Sequence, residues 1–348
     1  MYRSTTVRGG MAAATILLLG MCALTACSGG TSPGPDGAAV ATGPATDNPD
    51  WLGTPTPSAA PTAAATTPVG TAADKAAVAS ITVTGASGAK PTVTLPSQPF
   101  SVTGAVARTV DPGSGNTVVK GDLVTLQILE LSGVNGGELQ STWSQGAPTV
   151  SLVDPSALNQ QIYNELITAR VGARLLVAAP QSDSDTGLTM TVIDVVDVIA
   201  AQSVPARATG TAVAPKAGLP AVALDGTGKP SLSAPSGTAP TDLVIQPLIQ
   251  GSGPAVKSGQ TIVVNYTGWL WNGTQFDSSW DRGAPYVVPG IGNGNVIDGW
   301  DEGLVGQQVG SQVLLIVPPD KGYGDTAQGT SIPANSTLVF VVDILAAV

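Results

Sequence analysis

Histidine is missing from all 348 residues of this chain. That absence excludes Ser-His-Asp and Cys-His nucleophile systems, imidazole acid–base chemistry and His-ligated zinc. Charge is scarce too. Asp, Glu, Lys and Arg make up only 11 %, with Lys plus Arg at 14 against Asp plus Glu at 24. Affinity for phosphate backbones comes mainly from clustered Lys and Arg, so no nucleic-acid partner is expected. Cysteine occurs only as Cys22 and Cys27. No residue cluster calls for a metal or cofactor. The apolar run from Met11 to Leu24 is about 14 residues long, short of the ~20 a helix needs to cross a bilayer.

What is present begins with an address. Arg3 and Arg8 precede that apolar run, the plan of a secretory signal. The run ends Leu24-Thr25-Ala26-Cys27, which resembles the lipobox of bacterial lipoproteins. The resemblance implies a signal peptide over 1–26 and lipidation of Cys27 as the mature N-terminus. It further implies export and anchoring to the outer face of the cell membrane. An ordinary signal with small residues at its cleavage site is the alternative. Cys22 would leave with the signal, so the mature chain would form no internal disulfide. Residues 27–79, rich in Ala, Thr, Pro, Gly and Ser, carry almost no large apolar residues after Leu52. They read as a disordered tether, because such a segment cannot bury enough surface to offset its ordering entropy.

Beyond the tether the chain repeats itself at a spacing of about 139 residues. Lys90 to Ser97 recurs as Lys229 to Ser236, and Ser141 to Pro148 as Ser278 to Pro285. Val171 to Pro180 recurs as Val309 to Pro318, and Val192-Ile193-Asp194 as Val341-Val342-Asp343. Units this long indicate a domain duplication rather than a solenoid. The expected domains are 80–200 and 220–348, joined by a linker over 201–219. β-Branched runs predict strands over Leu123–Leu131, Thr189–Ile199, Thr261–Tyr266 and Thr337–Leu345. Each copy has room for one short helix, within Ser156–Ala169 and Asn295–Val305. The expected class is α+β: two domains, each a twisted antiparallel β-sheet wrapped around one short helix, after a disordered N-terminal tether.

The second copy carries Val264-Asn265-Tyr266-Thr267-Gly268, Phe276-Asp277-Ser278-Ser279 and Val296-Ile297-Asp298-Gly299-Trp300. Val309-Gly310, Pro319-Asp320-Lys321-Gly322-Tyr323-Gly324, Ile332-Pro333 and Leu338-Val339-Phe340 follow. In order and spacing these motifs closely resemble the FKBP family of peptidyl-prolyl cis-trans isomerases, the tacrolimus-binding immunophilins. The resemblance implies a pocket between sheet and helix, with Trp300 as its floor and Tyr266, Phe276 and Phe340 as walls. Tyr286, Val296 and Ile332 would complete the rim. Asp277, Tyr323 and the backbone N–H of Ile297 would face the substrate carbonyls, and Arg282 would pair with Asp277 or hydrogen-bond Tyr266. Implied partners are proline-containing unfolded or exported polypeptides and macrolide immunosuppressant-type ligands.

The chemistry of the residues agrees. Rotation about an Xaa–Pro bond breaks amide resonance, a barrier of ~18–20 kcal/mol, without making or breaking a bond to carbon. A histidine-free chain can help through a dry pocket that favours the twisted amide. The bland alternatives are rings that serve only as core and Asp277 as a turn cap. Gly290-Ile291-Gly292-Asn293-Gly294 superficially suggests a phosphate loop but lacks the strand–turn–long-helix setting. Copy one shows Ile128 for Tyr266, Leu139 for Phe276, Gln140 for Asp277 and Gln145 for Arg282. It also shows Thr149 for Tyr286, Ile162 for Trp300 and Thr191 for Phe340. It is therefore read as degenerate and inactive. A non-catalytic surface binding module or holdase chaperone is the competing function.

Overall fold

The computed structural model describes residues 68–182, 188–233 and 235–348. Cys27, the expected signal segment and most of the expected tether lie outside them. The described residues form two compact units, one ending at Ser203 and one running from Val204 to Val348. Each has its own apolar core.

The first unit opens with helix α1 (Ala72–Ala79) and the hairpin β1 (Thr82–Thr84) and β2 (Thr92–Thr94). Next come β3 (Val106–Asp111), β4 (Leu123–Ser132), β5 (Glu138–Ser141), the helical turn α2 (Thr142–Gln145) and β6 (Thr149–Leu152). Helix α3 (Gln160–Leu166), β7 (Arg174–Ser182) and β8 (Thr189–Gln202) complete it. The sheet order is β3-β7-β8-β4-β5, with β6 also on β4, and every pairing is antiparallel. Side chains alternate between faces along a strand. Accordingly Val124, Leu126 and Ile128 of β4 pack with Ile162 and Leu166 of α3, while Leu129 and Leu131 pack with Val78 of α1.

The second unit adds β9 (Thr211–Ala212) and the hairpin β10 (Val222–Leu224) and β11 (Pro230–Leu232). Its main sheet uses β12 (Val244–Gln250), β13 (Ile262–Leu270) and β14 (Gln275–Ser278), then the turn α4 (Ser279–Arg282) and β15 (Tyr286–Val288). Helix α5 (Asp298–Leu304), β16 (Gln312–Val317) and β17 (Leu338–Ala347) close it. The order is β14-β13-β17-β16-β12-β9, with β15 on β13. Strands β12 to β17 thus repeat the order of β3 to β8, with α4 and α5 in the places of α2 and α3.

Helix α5 shows how sequence sets depth. Two glycines in seven residues weaken a helix by propensity alone. Here a Cβ on Gly299 would lie 2.5 Å from Val317 Cγ1, and one on Gly303 would lie 2.6 Å from Leu315 Cδ2. Only glycine lets the helix come this close to β16. Trp300 and Leu304 are fully buried beside it, each side chain contributing roughly 1.5–3 kcal/mol over its exposed state.

Three expectations need correction. The tether was expected to reach residue 79, yet Ala72–Ala79 is helical. Thr71 and Asp74 form a reciprocal capping box, and Val78 is buried. Composition hid a helix built from alanine, the best helix former. The expected linker 201–219 is also partly structured. Strand β8 extends to Gln202, Thr211–Ala212 pairs with Ile249 and Gln250, and the Ala208 N–H donates to Asp343 Oδ2 at 2.7 Å.

The third correction concerns the last strand of each unit. Gly268 lies opposite both Asp277 and Phe340, and Glu130 lies opposite both Gln140 and Asp194. Asp194 therefore occupies the place of Phe340, not Thr191, and Asp197 the place of Asp343. The aspartates confirm it. Asp343 accepts from Gln312 Nε2 at 2.7 Å, and Asp197 from Nε of Arg174, the residue equivalent to Gln312, at 2.6 Å. Val192-Ile193-Asp194 and Val195-Val196-Asp197 are near copies of one tripeptide, and only the ladder tells them apart.

Candidate functional site

Strand β13 places Tyr266 on the helix-facing side of the second unit, fully buried. Its backbone N–H donates to Ser279 Oγ, the first residue of α4, at 2.9 Å. The first unit uses the same device, with the Ile128 N–H on Thr142 Oγ1 at 2.8 Å. The Tyr266 hydroxyl donates to Asp277 Oδ2 and accepts from Arg282 Nη2 at 2.9 Å. Arg282 Nη1 also donates to Asp277, and its guanidinium carbon stands 5.3 Å from the Tyr266 ring centroid. Both pairings foreseen for Arg282 are therefore made at once.

The rings form a chain of edge-to-face contacts. Centroid separations are 5.7 Å for Phe276–Phe340, 5.4 Å for Phe340–Trp300, 5.2 Å for Trp300–Tyr266 and 6.0 Å for Tyr266–Tyr286. Such pairs contribute ~0.5–1.5 kcal/mol beyond area burial and fix ring orientation. Val296, Ile297 and Ile332 are buried in the same cluster. Ile297 caps α5, its carbonyl accepting from the Trp300 N–H at 2.9 Å.

Tyr323 comes from the connection between β16 and β17 and packs against this cluster. That loop is closed by Gly324 N–H to the Pro319 carbonyl at 2.8 Å and Asn335 N–H to the Gly324 carbonyl at 2.7 Å. Lys321 Nζ ties it to Glu302 of α5 at 2.5 Å. The Tyr323 hydroxyl and Trp300 Nε1 are buried without a hydrogen-bond partner among the described residues. Leaving a buried donor unpaired costs ~1–3 kcal/mol, and a guest carbonyl would relieve it. Burial, then the Asp277 carboxylate, holds the Tyr266 phenol far above its usual range. Burial, then Tyr286 and Asp277, does the same for Tyr323. Both phenols are protonated donors at neutral pH.

Every residue expected at the site is thus brought together there. Sequence reasoning gave Gly268 no role. A Cβ on it would lie 2.6 Å from Phe276 Cζ and 3.0 Å from Phe340 Cε1. The missed signal was its position two residues beyond Tyr266, on the same strand face. The glycine-rich loop is explained differently from a phosphate site: the N–H groups of Gly292 and Gly294 donate to the Asp301 carboxylate at 2.6 and 2.7 Å. In the first unit the corresponding places hold Ile128, Leu139, Ile162 and Asp194.

Fold and site together define an antiparallel-sheet protein with a buried cluster of aromatic rings, edged by the hydrogen-bonded trio of Tyr266, Asp277 and Arg282. Residues 253–345 match the family model described as FKBP-type peptidyl-prolyl cis-trans isomerase. An FK506-binding protein of Streptomyces anulatus is 42% identical over 120 residues, which are 34% of this chain and 96% of the relative. The peptidyl-prolyl cis-trans isomerase Fkbp12 of Drosophila melanogaster is 46% identical over 102 residues, 29% of this chain and 94% of that protein. Among solved structures, FkpA from Escherichia coli shares 37% identity over 38% of this chain and 52% of its own, with a TM-score of 0.29. The chain belongs to the FKBP-type peptidyl-prolyl cis-trans isomerase family.

Proposed function

We propose that the second unit isomerises Xaa–Pro bonds by holding the prolyl ring among Trp300, Tyr266, Phe276 and Phe340 and binding the twisted amide more tightly than the planar one. The observation that carries this reading is the edge-to-face chain of rings with the unpartnered Tyr323 hydroxyl beside it. Tyr286, Val296 and Ile332 form the rim. Tyr323, the Ile297 N–H and the Asp277 edge, set by Arg282, meet the flanking carbonyls. No covalent intermediate is formed. In the twisted amide, nitrogen and carbonyl are uncoupled, so a dry apolar site suits it better than water does. Each tenfold acceleration requires about 1.4 kcal/mol of such preference.

The clients are proline-containing unfolded or exported polypeptides met at the outer face of the membrane, where a lipid on Cys27 would hold the enzyme. Support for this location is the basic start, apolar run and Leu24-Thr25-Ala26-Cys27 ending. The shared strand order of the two units supports a duplication whose first copy lost the rings and is non-catalytic. Protease-coupled or NMR exchange assays on an Xaa–Pro peptide, with wild type, Asp277→Val and Trp300→Ala, test the mechanism. Both variants are expected to lose at least tenfold in kcat/KM, and an FK506-type macrolide to inhibit the wild type. Equal rates for the three proteins would end the claim.

A further inference from the structure

The first unit carries two acids where the second carries Gly268 and Phe340. Glu130 and Asp194 lie directly opposite each other across β4 and β8, and each is only 1 % exposed. Opposed residues of an antiparallel pair share a face, with Cβ atoms roughly 4.5–5.5 Å apart. Ile128 and Val196, two residues away on each strand, belong to the core under α3, so the acids face that side. Glu130 Oε2 and Asp194 Oδ1 have no hydrogen-bond partner among the described residues.

Among the described residues no cation compensates them there. Arg108 and Arg174 turn to the other face, donating to carbonyls of α1 and the β1–β2 segment, and Arg174 also pairs with Asp197. Lys90 and Lys120 pair with Glu138 and Asp154, Arg170 donates to the Gly115 carbonyl, and Lys75 is exposed on α1. The ladder neighbours of the two acids are Gln140 on β5 and Val177 on β7, and α3 offers Ile162 and Leu166. None of these titrates; the titratable groups of α3 are Tyr163, packed against the same core, and Glu165, whose carboxylate accepts from Thr109 Oγ1 at 2.8 Å. Two buried carboxylates this close cannot both ionise.

We propose that Glu130 and Asp194 share a proton at neutral pH and so form an alkaline-labile latch in the first unit. Burial pushes Glu130 up to about 7. Burial, then the neighbouring Glu130, pushes Asp194 well above the usual carboxylate range. The sign follows. Between the ordinary carboxyl range and neutrality the folded unit holds protons that the unfolded chain has released, so stability falls as pH rises. Each excess proton raises the opening constant by up to about tenfold per pH unit.

The test uses the full chain. Amide exchange of the β4 and β8 segments, corrected for its intrinsic pH dependence, is followed from pH 5 to 8, with β13 as internal reference. The opening constant is expected to rise steeply in wild type for β4 and β8 alone, and the slope to flatten in Glu130→Gln and Asp194→Asn. Infrared spectra supply a readout independent of mutant stability. Wild type at pH 7 should show a protonated-carboxyl band that disappears on raising the pH, changes in each single variant and is absent when Glu130→Gln and Asp194→Asn are combined. Equal slopes in wild type and variants, or no such band at pH 7, would overturn the proposal. So would Ca2+ displacing the band at pH 7, since the pair would then be a cation site.

Discussion

Replacing Tyr323 by Phe removes a buried hydroxyl that has no partner among the described residues. The folded chain loses no hydrogen bond, so the thermal midpoint should stay level or rise slightly. A substrate carbonyl, by contrast, loses a neutral hydrogen bond with a net value of ~0.5–1.5 kcal/mol. The expected outcome is a fall of about 2- to 10-fold in kcat/KM at unchanged stability, measured by coupled assay and calorimetry. A structural role for the hydroxyl would move stability instead. Tyr266→Phe differs in kind: its hydroxyl already bonds Asp277 and Arg282, so the change should lower both stability and rate.

Among the elements, α5 bears most directly on the site. Gly299→Ala puts a methyl group into Val317, a β-branched side chain with little freedom to yield. Overpacking of this sort costs roughly 1–3 kcal/mol. Because Trp300 is the next residue, the expected result is a joint loss of stability and kcat/KM, read by denaturant unfolding and the coupled assay. Unchanged stability with unchanged rate would mean that the helix can shift without moving the indole. In the first unit α3 has Gln161 and Glu165 at the two glycine positions, so it cannot sit on its sheet in the same way. Even with the same strand order, the first unit lacks more than its rings.

For the whole molecule, separate cores make separable units. Residues 204–348 alone should fold and isomerise an Xaa–Pro peptide within about twofold of the full-length rate, since the site draws on that unit only. Residues 68–203 should fold and show no activity above the uncatalysed rate. Activity in that fragment would refute the reading of the first unit as non-catalytic. Adding it back to residues 204–348 in the capture of an unfolded protein separates a binding role from that of a mere spacer.

The residues of the aromatic cluster, their order and their spacing were legible in the sequence through its likeness to the FKBP family, because that likeness rests on these residue types at fixed intervals. Helices α3 and α5 and strands β4, β8, β13 and β17 were equally legible, since β-branched runs mark strands. Tertiary structure alone decided the rest. The capping box of Thr71 and Asp74 turned an alanine-rich tail of the tether into a helix, and sheet pairing drew part of the linker into order. The ladder, not the tripeptide pattern, placed Asp194 opposite Glu130. The physical reason is common to these cases: local composition records what a segment can do, whereas pairing and burial depend on partners far away in the chain.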